Sequence, residues 1–226
     1  MIEFFAKILI WNDKKICIQR RKLCFNKVFE AGPGRDEIYI SMNIVVKPYG
    51  SDMCCCRPDT TWERENRDLY SPECVNAWEW TPVLFARVSK AGKCISPKFA
   101  SRYYDSLNFG ALLYIGGVDK ACGSCADHTS ILPLPLYNPV VFEAEGNTLE
   151  ICKNDEVIFS LETPANLLQA AEEAICKASQ LTSLRIGDYV AVELAPASVL
   201  AEKTEGSLSF KATFCENDIF NIKMIF

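Results

Sequence analysis

The sequence predicts an α+β fold, rich in strands and poor in helices, and three stretches carry that expectation. In residues 81–88, Val83, Phe85 and Arg87 alternate with Leu84, Ala86 and Val88, so both faces are largely apolar, as in a strand buried within a sheet. Residues 37–46 set Ile38, Ile40 and Met42 against Tyr39, Ser41 and Asn43, the pattern of a half-buried strand. Helical spacing extends over one long segment, where Leu167, Ala171, Ile175 and Ala178 recur after Thr163 and Pro164, read as an N-cap followed by proline in the first helical position.

Taken in order, residues 1–36 hold two short strand candidates, 4–11 and 15–19, around Asn12-Asp13. The basic link Arg20-Arg21-Lys22 and the turn Gly32-Pro33-Gly34 follow. That turn lacks the length and the lysine of a phosphate loop. These residues read as an N-terminal extension packed on a main domain of residues 37–226. A strand ending in Arg57-Pro58-Asp59-Thr60 comes next, then a charged loop. After the strand at 81–88, Ala91-Gly92-Lys93 supplies a turn. Pro97 suits the start of a short helix carrying Phe99, Tyr103 and Tyr104. A further strand follows from Asn108, then a proline-rich loop over 119–138. Residues 140–142 and 149–152 read as strands, and Asn154-Asp155-Glu156 as a hairpin turn returning through 157–161. Two last strand candidates, 207–214 and 219–225, close the chain.

Composition narrows the function classes. The 226 residues suffice for one well-packed domain or two small ones. At 49% hydrophobic and 23% charged, the chain has ordinary globular composition. A formal net charge of −5 argues against a nucleic-acid partner. No apolar run reaches membrane-spanning length, so no membrane partner is expected. The start, with Glu3 and Lys7 inside a short apolar stretch, reads as a strand rather than a signal peptide, and a cytoplasmic location is the expectation. The twelve cysteines, including Cys54-Cys55-Cys56 and Cys122-x-x-Cys125, accordingly read as buried reduced thiols.

Three motifs in order, Arg57-Pro58-Asp59-Thr60, Ala91-Gly92-Lys93-Cys94-Ile95-Ser96 leading to Arg102-Tyr103-Tyr104-Asp105, and Leu184-Arg185-Ile186-Gly187-Asp188, resemble the fumarylacetoacetate hydrolase superfamily, in particular its acylpyruvase-type and 2-hydroxyhepta-2,4-diene-1,7-dioate isomerase-like members. The resemblance covers about residues 37–226. It implies mixed and antiparallel strands rolled into a barrel-like core, and a homodimer or a heteromer with an active relative. It further implies hydrolysis, isomerisation or decarboxylation of 2-oxo or enol carboxylates on a magnesium-like ion held by three carboxylates. The positions matching those ligands here are Thr81, Val83 and Leu112, which offer one hydroxyl and no charge. The expectation is therefore a member with a degenerate metal site and no cofactor, retained as a binding or partner protein for which a small carboxylate is a candidate ligand. The resemblance points to Arg57, Asp59, Glu193 and Pro196 as substrate-binding positions.

Other readings stay open. A two-residue shift of register would bring Glu79 into the pair with Thr81. Relocated ligands such as Glu79, Asp105 or Asp119 would support a divergent hydrolase or isomerase using magnesium or manganese. Lys120 and His128, the only histidine, are weak catalytic candidates. Glu63-x-Glu65 reads as a solvated loop. The Cys54–Cys56 triplet with Cys122, Cys125 and His128 would suit a zinc-stabilised interaction module, although consecutive strand cysteines face opposite ways. Glu193 faces either the inherited centre or solvent.

Overall fold

The computed structural model describes residues 42–226, apart from Glu145 and Ala165. The strand candidates before Met42, the N-terminal extension and the turn at Gly32 lie outside the described residues. The first strands are β1 (Ile44–Lys47), β2 (Cys55–Arg57), β3 (Trp62–Glu63) and β4 (Leu69–Tyr70). Two long strands follow, β5 (Ala77–Val88) and β6 (Tyr104–Ile115), then α1 (Lys120–Gly123) and β7 (Ser130–Ile131). The hairpin β8 (Thr148–Lys153) and β9 (Glu156–Glu162) leads into α2 (Leu167–Leu181). The chain ends in β10 (Tyr189–Glu193), β11 (Ser198–Glu202), β12 (Ser207–Phe214) and β13 (Asn217–Ile225).

These strands form two curled sheets. One runs β2-β1-β10-β5-β6-β7-β3, with β11 pairing the first half of β5, and the other runs β4-β13-β12-β8-β9. The fold class is thus α+β and strand-rich, as expected. Strand β5 shows why it is buried on both sides. Trp78, Trp80, Leu84, Ala86 and Val88 enter the main core with Phe210, Phe214 and Ile175 of the second sheet and α2. Val83 and Phe85, on the alternate face, enter a smaller core with Ile44, Val46, Leu112, Tyr114, Leu132 and Tyr189. Helix α2 turns Leu167, Ala171, Ile175 and Ala178 inward, as its spacing predicts. Asn154 and Asp155 take positive φ in the β8–β9 turn, which closes the hairpin read there.

Several local expectations are corrected. The turn after Pro97 is a 3₁₀ helix, Pro97–Arg102, and Tyr104 already belongs to β6. The chain has no room for an α-helix there, because Ser89 N–H bonds Tyr103 O and Val88 pairs with Tyr104. Residues 139–142 are 3₁₀ rather than strand, since Pro139 follows Asn138, whose side chain accepts from Val140 N–H at 3.1 Å. Helix α2 starts three residues after Pro164, with Asn166 as N-cap. Thr163 instead bonds Asn147 O through its N–H, which holds it to the β8–β9 hairpin. The 119–138 loop contains α1 and β7. Strand β1 is buried on both faces, lying between β2 and β10 with a core on either side. Contrary to the expectation of buried thiols, only Cys176 is buried among the described cysteines, and Cys56, Cys74, Cys94, Cys122 and Cys125 are exposed. No helix among the described residues is long and apolar enough to cross a membrane.

Burial pushes the hydroxyls of Tyr104 and Tyr189 up to about 12, with Glu172 adding to the shift at Tyr104. An unfolded tyrosine ionises near pH 10, so between roughly pH 10 and 12 the unfolded state holds fewer protons and stability falls as pH rises. Denaturant midpoints measured across that window are expected to fall more steeply in the wild type than in Tyr104→Phe/Tyr189→Phe.

Candidate functional site

The face of β5 and β6 that lines the smaller core carries the candidate site. Thr81 lies opposite Leu112, Val83 opposite Gly110 on one side and Glu193 on the other, and Glu79 opposite Tyr114. Cross-strand partners share a face, so Glu79, Thr81, Val83, Leu112, Tyr114 and Glu193 all belong to this one. The three ligand-matching positions of the sequence are therefore true spatial neighbours. Thr81, Val83 and Leu112 are completely buried. The Thr81 hydroxyl is already engaged, donating to Ala195 O at 2.7 Å.

Glu193 is the charged centre of this face. It ends β10, where Leu194 N–H bonds Pro82 O and turns the chain. Its side chain has no exposure. Tyr114 donates its hydroxyl to Oε1 at 2.6 Å, and Tyr49 its backbone N–H to Oε2 at 2.8 Å. Lys120, placed by the first turn of α1 after the Asp119 cap, brings Nζ to 3.6 Å from Oε2 and 5.0 Å from the centre of the Tyr114 ring. Burial, then the charge of Glu193, pushes the Tyr114 hydroxyl far above its ordinary range, so it stays a donor.

Arg57 completes the group from β2. Its residue exposure is 2%. Nη2 donates to Leu113 O at 2.7 Å and to Thr129 Oγ1 at 2.8 Å, and the guanidinium lies 4.9 Å from the centre of the Tyr114 ring. Nε and Nη1 have no hydrogen-bond partner. Burial lowers the Arg57 guanidinium from its ordinary value, opposed by Tyr114, Cys55 and Glu193.

The structure thus brings Arg57, Lys120 and Glu193 together around Tyr114, which the sequence reading did not single out. The available signal was its place two residues after Leu112 on the same strand face. Glu193 does not face solvent. Asp59 and Pro196 are exposed and stand outside this network. Glu79 is half-buried opposite Tyr114. Asp105 pairs with Arg87 at the far end of β5 and β6, and Asp119 caps α1.

Glu63 and His128 form a second pair. Contrary to the solvated-loop expectation, Glu63 is 3% exposed. It accepts Glu65 N–H at 2.7 Å and Arg67 N–H at 3.3 Å on Oε1, and meets His128 Nδ1 at 2.9 Å on Oε2. Strand β3 is pinned beside β7, so the chain folds this carboxylate inward while Glu65 stays exposed and pairs with Arg67. Glu63→Gln is expected to cost about 1–3 kcal/mol of stability by weakening charge-assisted bonds to two backbone donors, as read from denaturant midpoints.

A magnesium-like ion does not fit the centre formed at Thr81, Val83 and Leu112. The side chains of Val83 and Leu112 have no donor atom, and the Thr81 hydroxyl is bonded to Ala195. Of the two carboxylates on this face the buried one, Glu193, is shared among Tyr114, Tyr49 and Lys120, while Glu79 lies farther along the strand opposite Tyr114. Among the described residues, no three His, Cys, Asp or Glu side chains converge as a metal site would require.

No family model matches the sequence, and no curated protein matches it. Solved structures do match. A fumarylpyruvate hydrolase from Pseudomonas aeruginosa, in complex with Mn²⁺ and pyruvate, superimposes with a TM-score of 0.67 at 13% identity, covering 85% of this chain and 93% of its own. A protein from Yersinia pestis CO92, described as of the fumarylacetoacetate hydrolase family, gives 0.66 at 13% identity over 82% and 93%. The 5-carboxymethyl-2-hydroxymuconate delta-isomerase of Mycobacterium smegmatis gives 0.66 at 11% over 82% and 79%. The described chain has the fold of the fumarylacetoacetate hydrolase proteins, the class to which its motifs pointed.

Proposed function

We propose that this protein keeps the fumarylacetoacetate hydrolase fold without the metal-dependent hydrolase or isomerase reaction, and acts as a binding or partner protein. The observation that carries this reading is that Arg57, Lys120, Tyr114 and Glu193 gather on the face where the ligand-matching positions hold the buried Thr81, Val83 and Leu112. With the two cations Arg57 and Lys120 gathered at Tyr114 and Glu193, and Glu79 only half-buried farther along the face, the group suits a small carboxylate better than a divalent cation. The expected ligand is such a carboxylate, held by charge alone. The protein is proposed to work in the cytoplasm as a homodimer, or as a heteromer with an active relative.

The alternative of a divergent hydrolase with relocated ligands requires Glu79, Asp105 and Asp119 to converge. They sit at opposite ends of β5 and β6 or in a helix cap, and each strand of twelve residues spans roughly 40 Å. The zinc-module reading requires the cysteine groups to meet as a ligand set, and among the described residues no three His, Cys, Asp or Glu side chains do so. The purified chain is expected to leave fumarylpyruvate unhydrolysed in the presence of manganese. Turnover that is lost on adding a chelator would overturn the proposal.

A further inference from the structure

The connection between β5 and β6 carries a surface that the candidate site does not use. Between Thr81 and Tyr104 the sequence holds no acid, while Lys90, Lys93, Lys98 and Arg102 are all exposed. None of the four has a carboxylate within ion-pair distance among the described residues. The whole chain has a net charge of −5, so without these four cations the remainder stands at −9.

Apolar side chains are interleaved with the cations. Lys98 and Arg102 lie 5.7 and 5.2 Å from the centre of the Phe99 ring, and Lys90 lies 5.2 Å from that of Tyr103. Gly92 and Leu184 exchange backbone hydrogen bonds at 3.0 and 2.9 Å, Cys94 N–H bonds Ser179 O, and Lys93 Nζ donates to Leu181 O at 2.9 Å. These bonds hold the loop against the end of α2. Leu181, 48% exposed, is thereby joined to Lys93, and Ile186, 68% exposed, follows two residues after the Leu184 that pairs with Gly92. Gly92 permits the close packing, since a Cβ there would lie 2.5 Å from the Tyr103 ring.

We propose that this face is a docking surface for a short protein segment that combines clustered carboxylates with apolar side chains. Four unpaired cations complement the carboxylates, and Phe99, Leu181 and Ile186 supply the apolar contact that a purely electrostatic site lacks. A membrane or a long nucleic acid would extend beyond the patch over a surface of opposite charge balance. A short segment need not, because exposed charges are screened beyond about 8 Å. The surface lies at the opposite end of the β5–β6 hairpin from Tyr114, so it is independent of the candidate site.

The test is fluorescence anisotropy of a labelled peptide of about twelve residues, glutamates with interspersed leucines, titrated with the full chain at about 50 and 300 mM salt. Saturable binding is expected, weakened about tenfold by the higher salt and about tenfold by Lys93→Glu/Lys98→Glu. Phe99→Ser, which keeps every charge, is expected to weaken it about threefold or more. All three positions are exposed, and unchanged thermal melts of the variants are part of the expected result. Absence of saturable binding, or binding indifferent to the double variant, overturns the proposal. So does tighter binding of an RNA oligomer or of phosphatidylserine vesicles, or self-association of the chain that disappears in the same variant.

Discussion

Replacing Glu193 by Ala is expected to lower stability by about 3 kcal/mol, with a fall in melting temperature of about 6–12 °C. The side chain is buried, and its loss takes the acceptor from the Tyr114 hydroxyl and the Tyr49 N–H. It also removes the charge of Glu193 from near the buried Arg57 guanidinium, whose Nε and Nη1 have no hydrogen-bond partner. Glu193→Gln, which keeps the shape and one good acceptor, is expected to cost about half as much. The contrast separates charge from packing: a harmless Glu193→Gln would mean that Glu193 is only a space-filling group, and equal losses would mean that its charge carries the whole effect. Lys120→Met belongs to the same set, and with an exposed ammonium it is expected to change stability by less than about 1 kcal/mol.

Gly110→Ala is expected to be as damaging for a different reason. Gly110 lies opposite Val83, and β7 pairs with its neighbours Ala111 and Leu112. A Cβ at position 110 would sit 2.2 Å from the Ile131 carbonyl oxygen, a backbone atom that cannot swing aside. Relief requires β7 to move away from β6, which breaks the pairing that holds Thr129 under Arg57. A loss of about 3 kcal/mol or failure to accumulate folded protein is expected. Gly117→Ala is the control. Its φ of 77° disfavours alanine, yet no atom stands within 4 Å of the new Cβ, so a loss of only about 1 kcal/mol is expected by chemical denaturation.

The same two positions explain what the sequence could and could not announce. Strand β5, the β8–β9 hairpin and α2 were legible because their apolar periods run over several residues and their turns carry recognisable chemistry. Strands β3 and β7 have two residues each, too few to show a period, and they exist because β6 offers them an edge. Within the site, the sequence shows no carboxylate at Thr81, Val83 or Leu112, and the register places the three on one face. Arg57, Lys120 and Glu193 come from β2, α1 and β10, so their meeting is a product of sheet order that no local pattern encodes. Glu63 was misread for a related reason: its charged neighbours Arg64 and Glu65 are exposed, while pairing with β7 turns this one carboxylate inward.

The proposal that this centre takes a negative ligand rather than a metal ion is tested by calorimetric titration of the purified chain with manganese and magnesium, each with and without oxalate. No saturable heat is expected from either cation up to about millimolar concentration, with oxalate leaving that result unchanged. Tight manganese binding that oxalate strengthens would overturn the proposal, and would mean that Glu193 and Glu79 turn to the ion.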